Sequence, residues 1–76
     1  MEFVKKYTYE NLCKKIIGKK VRFKSDCELF PNFDVTGNVL EINIKNSEYI
    51  IKIKTNSGKI LDIGSNMKNL EFDILI

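Results

Sequence analysis

Eight basic side chains fall within the first 24 residues: Lys5, Lys6, Lys14, Lys15, Lys19, Lys20, Arg22 and Lys24. Only Glu2 and Glu10 oppose them, a local balance of +6, whereas residues 25–76 carry five basic and eight acidic groups. Cations at this density attract phosphate, whether in a nucleic acid or in a nucleotide. The next stretch, SDCELFPNFDVTG (residues 25–37), places Phe30, Pro31 and Phe33 where a solvent-facing loop ordinarily carries small polar residues. A basic surface beside an exposed ring holds phosphate by charge and a base by stacking. Phe30, next to Pro31, is the better exposed anchor, and Phe33, nearer the following strand, is expected in the core. The candidate ligand-binding set is Lys14, Lys15, Lys20, Arg22, Lys24 and Phe30.

Each member also has a purely structural explanation. Lys14 and Lys15 lie near the end of a short helix, where the dipole favours cations whatever the function. Lys20, Arg22 and Lys24 form the polar side of a half-buried strand, and edge strands often carry lysine to prevent pairing. Lys52 is excluded from the set because Glu41 and Asp62 are placed to neutralise it. Lys68, in the acidic part of the chain, is the natural reference position outside it.

Catalytic chemistry finds little to build on. The chain has no histidine to move protons near neutral pH, and it shows no activated-nucleophile constellation. Gly18, Gly37, Gly58 and Gly64 are too scattered for a phosphate loop. Two cysteines, Cys13 and Cys27, without histidine do not complete a four-ligand zinc site, and both are expected as free thiols. The expectation is a non-enzymatic protein with no catalytic residues, no metal and no cofactor. No apolar run approaches the ~20 residues of a membrane-spanning helix. Lys5 and Lys6 lead into Tyr-Thr-Tyr-Glu-Asn rather than an apolar signal core, so the expected location is the cytoplasm, away from membranes.

The elements that must position these residues follow from periodicity. Seventy-six residues make one domain (1–76), near the lower limit for a self-sufficient core. In TYENLCKKIIG, residues Tyr9, Leu12, Cys13, Ile16 and Ile17 share one helical face, so the spacing predicts a helix over 9–17. Thr8 suits the N-cap, Glu10 the first turn and Gly18 the position after the C-cap. A helix this short does not persist alone in water and has to dock. After Gly18 the period becomes two, and Val21 and Phe23 alternate with the basic residues in a first strand. DVTGNVLEINI makes a second, long strand whose apolar parity switches between Val39 and Leu40, which predicts a bulge near Val39 eased by Gly37.

Side-chain parity sets two hairpin registers. A four-residue loop over 45–48 places Ile44 opposite Tyr49, Ile42 opposite Ile51 and Leu40 opposite Ile53. A three-residue loop, Asn56-Ser57-Gly58 with Gly58 left-handed, places Ile53 opposite Leu61 and Ile51 opposite Ile63. The outer face then reads Glu41, Lys52, Asp62. GSNMKN is long enough for one 3₁₀ turn, and Leu70, Phe72 and Ile74 alternate in a fifth strand.

Five short strands, a long first loop, two tight hairpins and a brief turn before the last strand resemble the SH3-like small β-barrels, which include KOW, Tudor and Sm-type modules. GNVLEI resembles the Gly-x-Val-x-x-Ile strand of KOW-type domains, and YIIKIKTNSGKILDI with NLEF resembles their third to fifth strands. The resemblance covers residues 19–75 and implies a mainly β fold: a five-stranded antiparallel SH3-like barrel with one N-terminal α-helix. In that architecture the 25–37 loop folds over the end of the barrel, as a lid first and a binding lip second. The fold hosts many functions, so function is weighed on the residues. The leading expectation is a small binding module for an anionic ligand, a nucleic acid or a phosphate-bearing nucleotide. The alternative is a protein-interaction module. By analogy with small phage or mobile-element products, it would dock on a host defence protein or, as a homo-oligomer, sequester a nucleotide signal.

Overall fold

The computed structural model describes residues 2–26 and 32–75. Among the described residues six strands form one antiparallel sheet: β1 (Glu2–Phe3), β2 (Lys20–Ser25), β3 (Phe33–Lys45), β4 (Glu48–Thr55), β5 (Ile60–Gly64) and β6 (Glu71–Leu75), in the order β1-β6-β2-β3-β4-β5. A 3₁₀ turn (Val4–Lys6) follows β1, and the helix α1 (Tyr9–Ile16) precedes β2. The strand count differs from the expected five because Glu2 and Phe3 pair with Phe72 and Glu71. Two residues are too few to show a period, so sequence gave no sign of this strand. Among the described residues the sheet is open, with β1 and β5 as its edges. The 64–69 connector turns without a 3₁₀ helix.

Helix α1 begins where its cap predicts, with the Thr8 hydroxyl accepting from the Asn11 amide at 3.3 Å, and Gly18 follows its end at φ +80°. Leu12 and Ile16 are fully buried, but Ile17 points outward, because the chain has left the helix at that residue. The Tyr9 hydroxyl donates to the Ile42 carbonyl at 2.6 Å and ties the helix to the second half of β3.

The bulge falls at Leu40, between Val39, opposite Ile53, and Glu41, opposite Lys52. Before it, β3 lies between β2 and the end of β4; the Val39 amide donates to Lys19 and its carbonyl accepts from Gly18, both at 2.9 Å. After it, β3 pairs with β4 alone. Leu40 is therefore 45% exposed rather than opposite Ile53. The first hairpin keeps the predicted register, Ile44 opposite Tyr49 and Ile42 opposite Ile51, but closes tighter than four residues. Lys45 pairs with Glu48, and Asn46 and Ser47 turn the chain with both φ angles positive, the backbone of a type I′ turn. The second hairpin matches throughout: Gly58 has φ +87°, and Ile53, Lys52 and Ile51 face Leu61, Asp62 and Ile63.

The core draws on every part of the chain. Val4, Leu12, Ile16, Val21, Phe23, Val39, Ile42, Ile51, Ile53, Ile63, Leu70 and Phe72 form one buried cluster, with Phe33 partly buried against it as expected.

Candidate functional site

The outer face of β2 carries Lys20, Arg22 and Lys24, opposite in direction to the buried Val21 and Phe23. Its neighbours are not neutral. Lys24 lies between Asp34 on β3 and Glu71 on β6, and Arg22 between Thr36 and Asp73. Arg22 clasps Asp34 with two bonds, Nε to Oδ1 at 2.9 Å and Nη2 to Oδ2 at 2.6 Å. That bidentate contact holds the Asp34 carboxyl below its ordinary range, against the smaller opposing effect of partial burial. The strand that looked unopposed in sequence is thus flanked by three carboxylates brought from residues 34, 71 and 73. Lys20, opposite Asn38 and Leu75 at the other end of the strand, has no acid across from it.

Lys14 and Lys15 lie in the last turn of α1, which packs on the core side of the sheet, so the helix pair and the β2 trio face different sides. Lys14 is exposed. Lys15 is engaged: its Nζ lies 3.4 Å from a Glu2 carboxylate oxygen and 5.3 Å from the centre of the Tyr7 ring. The Tyr7 hydroxyl donates to the same carboxylate; that bond, with Lys15 adding to it, keeps Glu2 below its usual range. Tyr7 and then Glu2 push Lys15 upward and keep it charged. Phe30 and Cys27 lie outside the described residues. Of the five predicted residues that are described, the helix pair and the β2 trio therefore do not share one surface.

A different set of cations does converge. Lys5, Lys6 and Lys68 line a cleft of about 350 Å³ with Phe3, Asn69 and Leu70, and among the described residues no carboxylate lines it. Among the described residues none of the three lysines has an ion-pair partner. The 3₁₀ turn presents Lys5 and Lys6 because Val4, fully buried, anchors it, and because the Val4 amide donates to the Leu70 carbonyl at 3.0 Å. Lys68 is fixed through its backbone: its carbonyl accepts from the Ser25 hydroxyl at 2.7 Å and from the Asp26 amide at 3.2 Å. Asn69 adopts φ +53°, which turns the chain back into β6. Lys6 Nζ stands 5.6 Å from the centre of the Phe3 ring, so the cleft joins a cation to an aromatic face. A neighbouring cleft shares Phe3 and Asn69 but contains Asp26, Glu71 and Lys24, which confines the acid-free surface to the Lys5–Lys6–Lys68 side.

Lys5 and Lys6 belong to the basic surplus of the first 24 residues but not to the candidate set drawn from it, and Lys68 lies outside both. Only the pairing of β1 with β6 brings positions 5, 6 and 68 together. The one sequence trace was Asn69, a residue type that tolerates the left-handed turn beside Lys68. Among the described residues no three His, Cys, Asp or Glu side chains are grouped to hold a metal, and no helix is long and apolar enough to cross a membrane. The chain matches no family model, no curated protein and no solved structure, so the three-lysine cleft has to be read from its own geometry.

Proposed function

We propose that this chain is a non-enzymatic binding module for a phosphate-bearing anion, held in the cleft of Lys5, Lys6 and Lys68. The observation that carries the reading is the convergence of three lysines on one cleft beside the Phe3 ring, with no ion-pair partner and no carboxylate in the cleft among the described residues. Lysine ammonium groups bind phosphate as point charges, and three within one cleft supply more attraction than scattered surface lysines. The order β6-β2-β3-β4-β5, with β3 bent at its bulge, supports reading these five strands as an SH3-like small barrel to which β1 is added. The anionic ligand belongs to the cytoplasm in this reading, as a free nucleotide or a nucleic acid.

A protein-docking reading has one observation in its favour. Ile60 is 52% exposed and Leu61 is also exposed on β5, an edge strand with one unpaired side. Salt separates the two: phosphate binding weakens as salt rises, whereas an apolar interface does not.

The test is titration of the isotope-labelled chain with inorganic phosphate and pyrophosphate, followed by NMR at low and high salt. Amide shifts are expected at residues 5, 6, 68 and 69, growing smaller with salt. The double change Lys5→Glu, Lys68→Glu should abolish them, while Lys20→Glu at the far end of β2 leaves them unchanged. Shifts that ignore the double change, or that follow Lys20 instead, would refute the assignment.

A further inference from the structure

Lys5 lines two clefts at once. On its other side is a cleft of about 390 Å³ bounded by Tyr7, Ser47, Glu48, Tyr49, Ser65 and Asn66. Its floor is already satisfied: Tyr7 bonds Glu2, the Tyr49 hydroxyl donates to the Tyr7 carbonyl at 3.3 Å, and the Ser65 hydroxyl oxygen accepts from the Tyr49 amide at 2.8 Å. Its rim is not. Among the described residues the side chains of Ser47, Glu48 and Asn66 have no hydrogen-bond or ion-pair partner. The tight Asn46–Ser47 turn presents the first two. The third folds over Gly64, where a Cβ would come within 2.5 Å of its Oδ1.

The chemistry of this rim differs from that of the lysine cleft. A carboxylate only accepts hydrogen bonds and repels a phosphate, so Glu48 calls for hydroxyl donors, with Ser47 and Asn66 able to donate or accept beside it. Each cleft is of small-molecule size, and a bare phosphate fills only part of one. We infer that the ligand is a phosphorylated sugar, its phosphate on Lys5, Lys6 and Lys68 and its hydroxyl-bearing ring against Ser47, Glu48 and Asn66. The inference rests on the anion-binding reading above and adds the half of the ligand that the lysines do not specify.

The probes are inorganic phosphate, ribose and ribose 5-phosphate, each titrated against the whole chain by calorimetry and NMR. Ribose 5-phosphate should bind about tenfold or more tighter than phosphate, the gain from hydrogen bonds to a charged acceptor, and ribose alone should bind weakly. Glu48→Gln and Asn66→Ala should bring ribose 5-phosphate down to the affinity of phosphate without changing phosphate itself. Lys68→Ala should weaken both. All three residues are exposed, and an unchanged melting midpoint verifies that the variants fold. Equal affinity for phosphate and ribose 5-phosphate, indifferent to Glu48→Gln, would overturn the sugar assignment and leave the anion site standing. Failure of both probes to bind would overturn the two together. A short single-stranded oligoribonucleotide, compared per site, distinguishes a polymeric source of the same sugar and phosphate from a free one.

Discussion

Replacing Gly37 by alanine tests how closely the two halves of the sheet approach. Gly37 lies in β3, opposite Val21 on one side and Thr55 on the other. A Cβ added there would meet the Lys54 carbonyl oxygen at 2.6 Å, its carbon at 2.9 Å and the Thr55 Cα at 3.2 Å. All three atoms are backbone in a paired strand, so no rotamer change relieves them. Overpacking of this kind costs about 1–3 kcal/mol, and the immovable partners place it toward the upper end. Loss of unfolded-chain freedom on changing glycine to alanine offsets about 0.4–1 kcal/mol. The net expectation is a loss of about 2 kcal/mol, or roughly 8–16 °C in Tm for a domain of this size. Gly64 supplies the internal comparison. A Cβ there would come as close, 2.5 Å, but to the Asn66 Oδ1, the far end of a flexible side chain. Gly64→Ala should therefore cost much less than Gly37→Ala. Thermal and urea unfolding followed by far-UV circular dichroism measures both. A Gly37→Ala midpoint equal to wild type, or a Gly64→Ala loss as large, would refute the account of β3 and β4 as backbone in direct contact.

Two further outcomes follow from the core and from the ion pair on β2. Ile51, fully buried between Ile42 and Ile63, should cost about 2–5 kcal/mol on truncation to alanine. Ile44→Ala, at a side chain 54% exposed, should stay within about 0.5 kcal/mol in the same denaturant titration. Asp34 has a folded-state pKa lowered by Arg22, so its contribution is fully present above the ordinary carboxylate pKa of about 3.9 and is lost as pH falls through the folded value. Wild type should thus be more stable than Asp34→Asn at neutral pH. The difference should vanish below the carboxylate range, and urea midpoints that keep or widen the gap in acid would contradict the ion pair.

What could be read from the sequence was whatever depends on near neighbours. Helix α1 was legible because its apolar face, its Thr8 cap and Gly18 all lie within a dozen residues. The two hairpins were legible because parity and turn chemistry fix register locally, and the Glu41–Lys52–Asp62 ladder came with them; Lys52 does sit 3.2 Å from Glu41. The bulge was legible as a parity switch. The place of Leu40 was not, because which residue leaves the ladder depends on where β2 stops bonding β3, at Val39.

Charge was the property that sequence order misrepresented. Eight cations against two acids is a true count of the first 24 residues, yet electrostatic neighbours are set by strand pairing and not by chain position. Folding inserts β2 between β3 and β6, whose Asp34, Glu71 and Asp73 then flank Arg22 and Lys24. The same topology lays β1 beside β6 and carries Lys68, from the acidic end, next to Lys5 and Lys6. By itself, the sequence determined the helix, the hairpin registers and most of the core faces, because periodicity encodes which side of an element is buried; Leu40, Ile44 and Leu61, assigned by parity to the same face, are exposed. Only the tertiary structure decided which cations remain unpaired and where they meet, because Coulomb attraction falls with distance through space and is blind to distance along the chain.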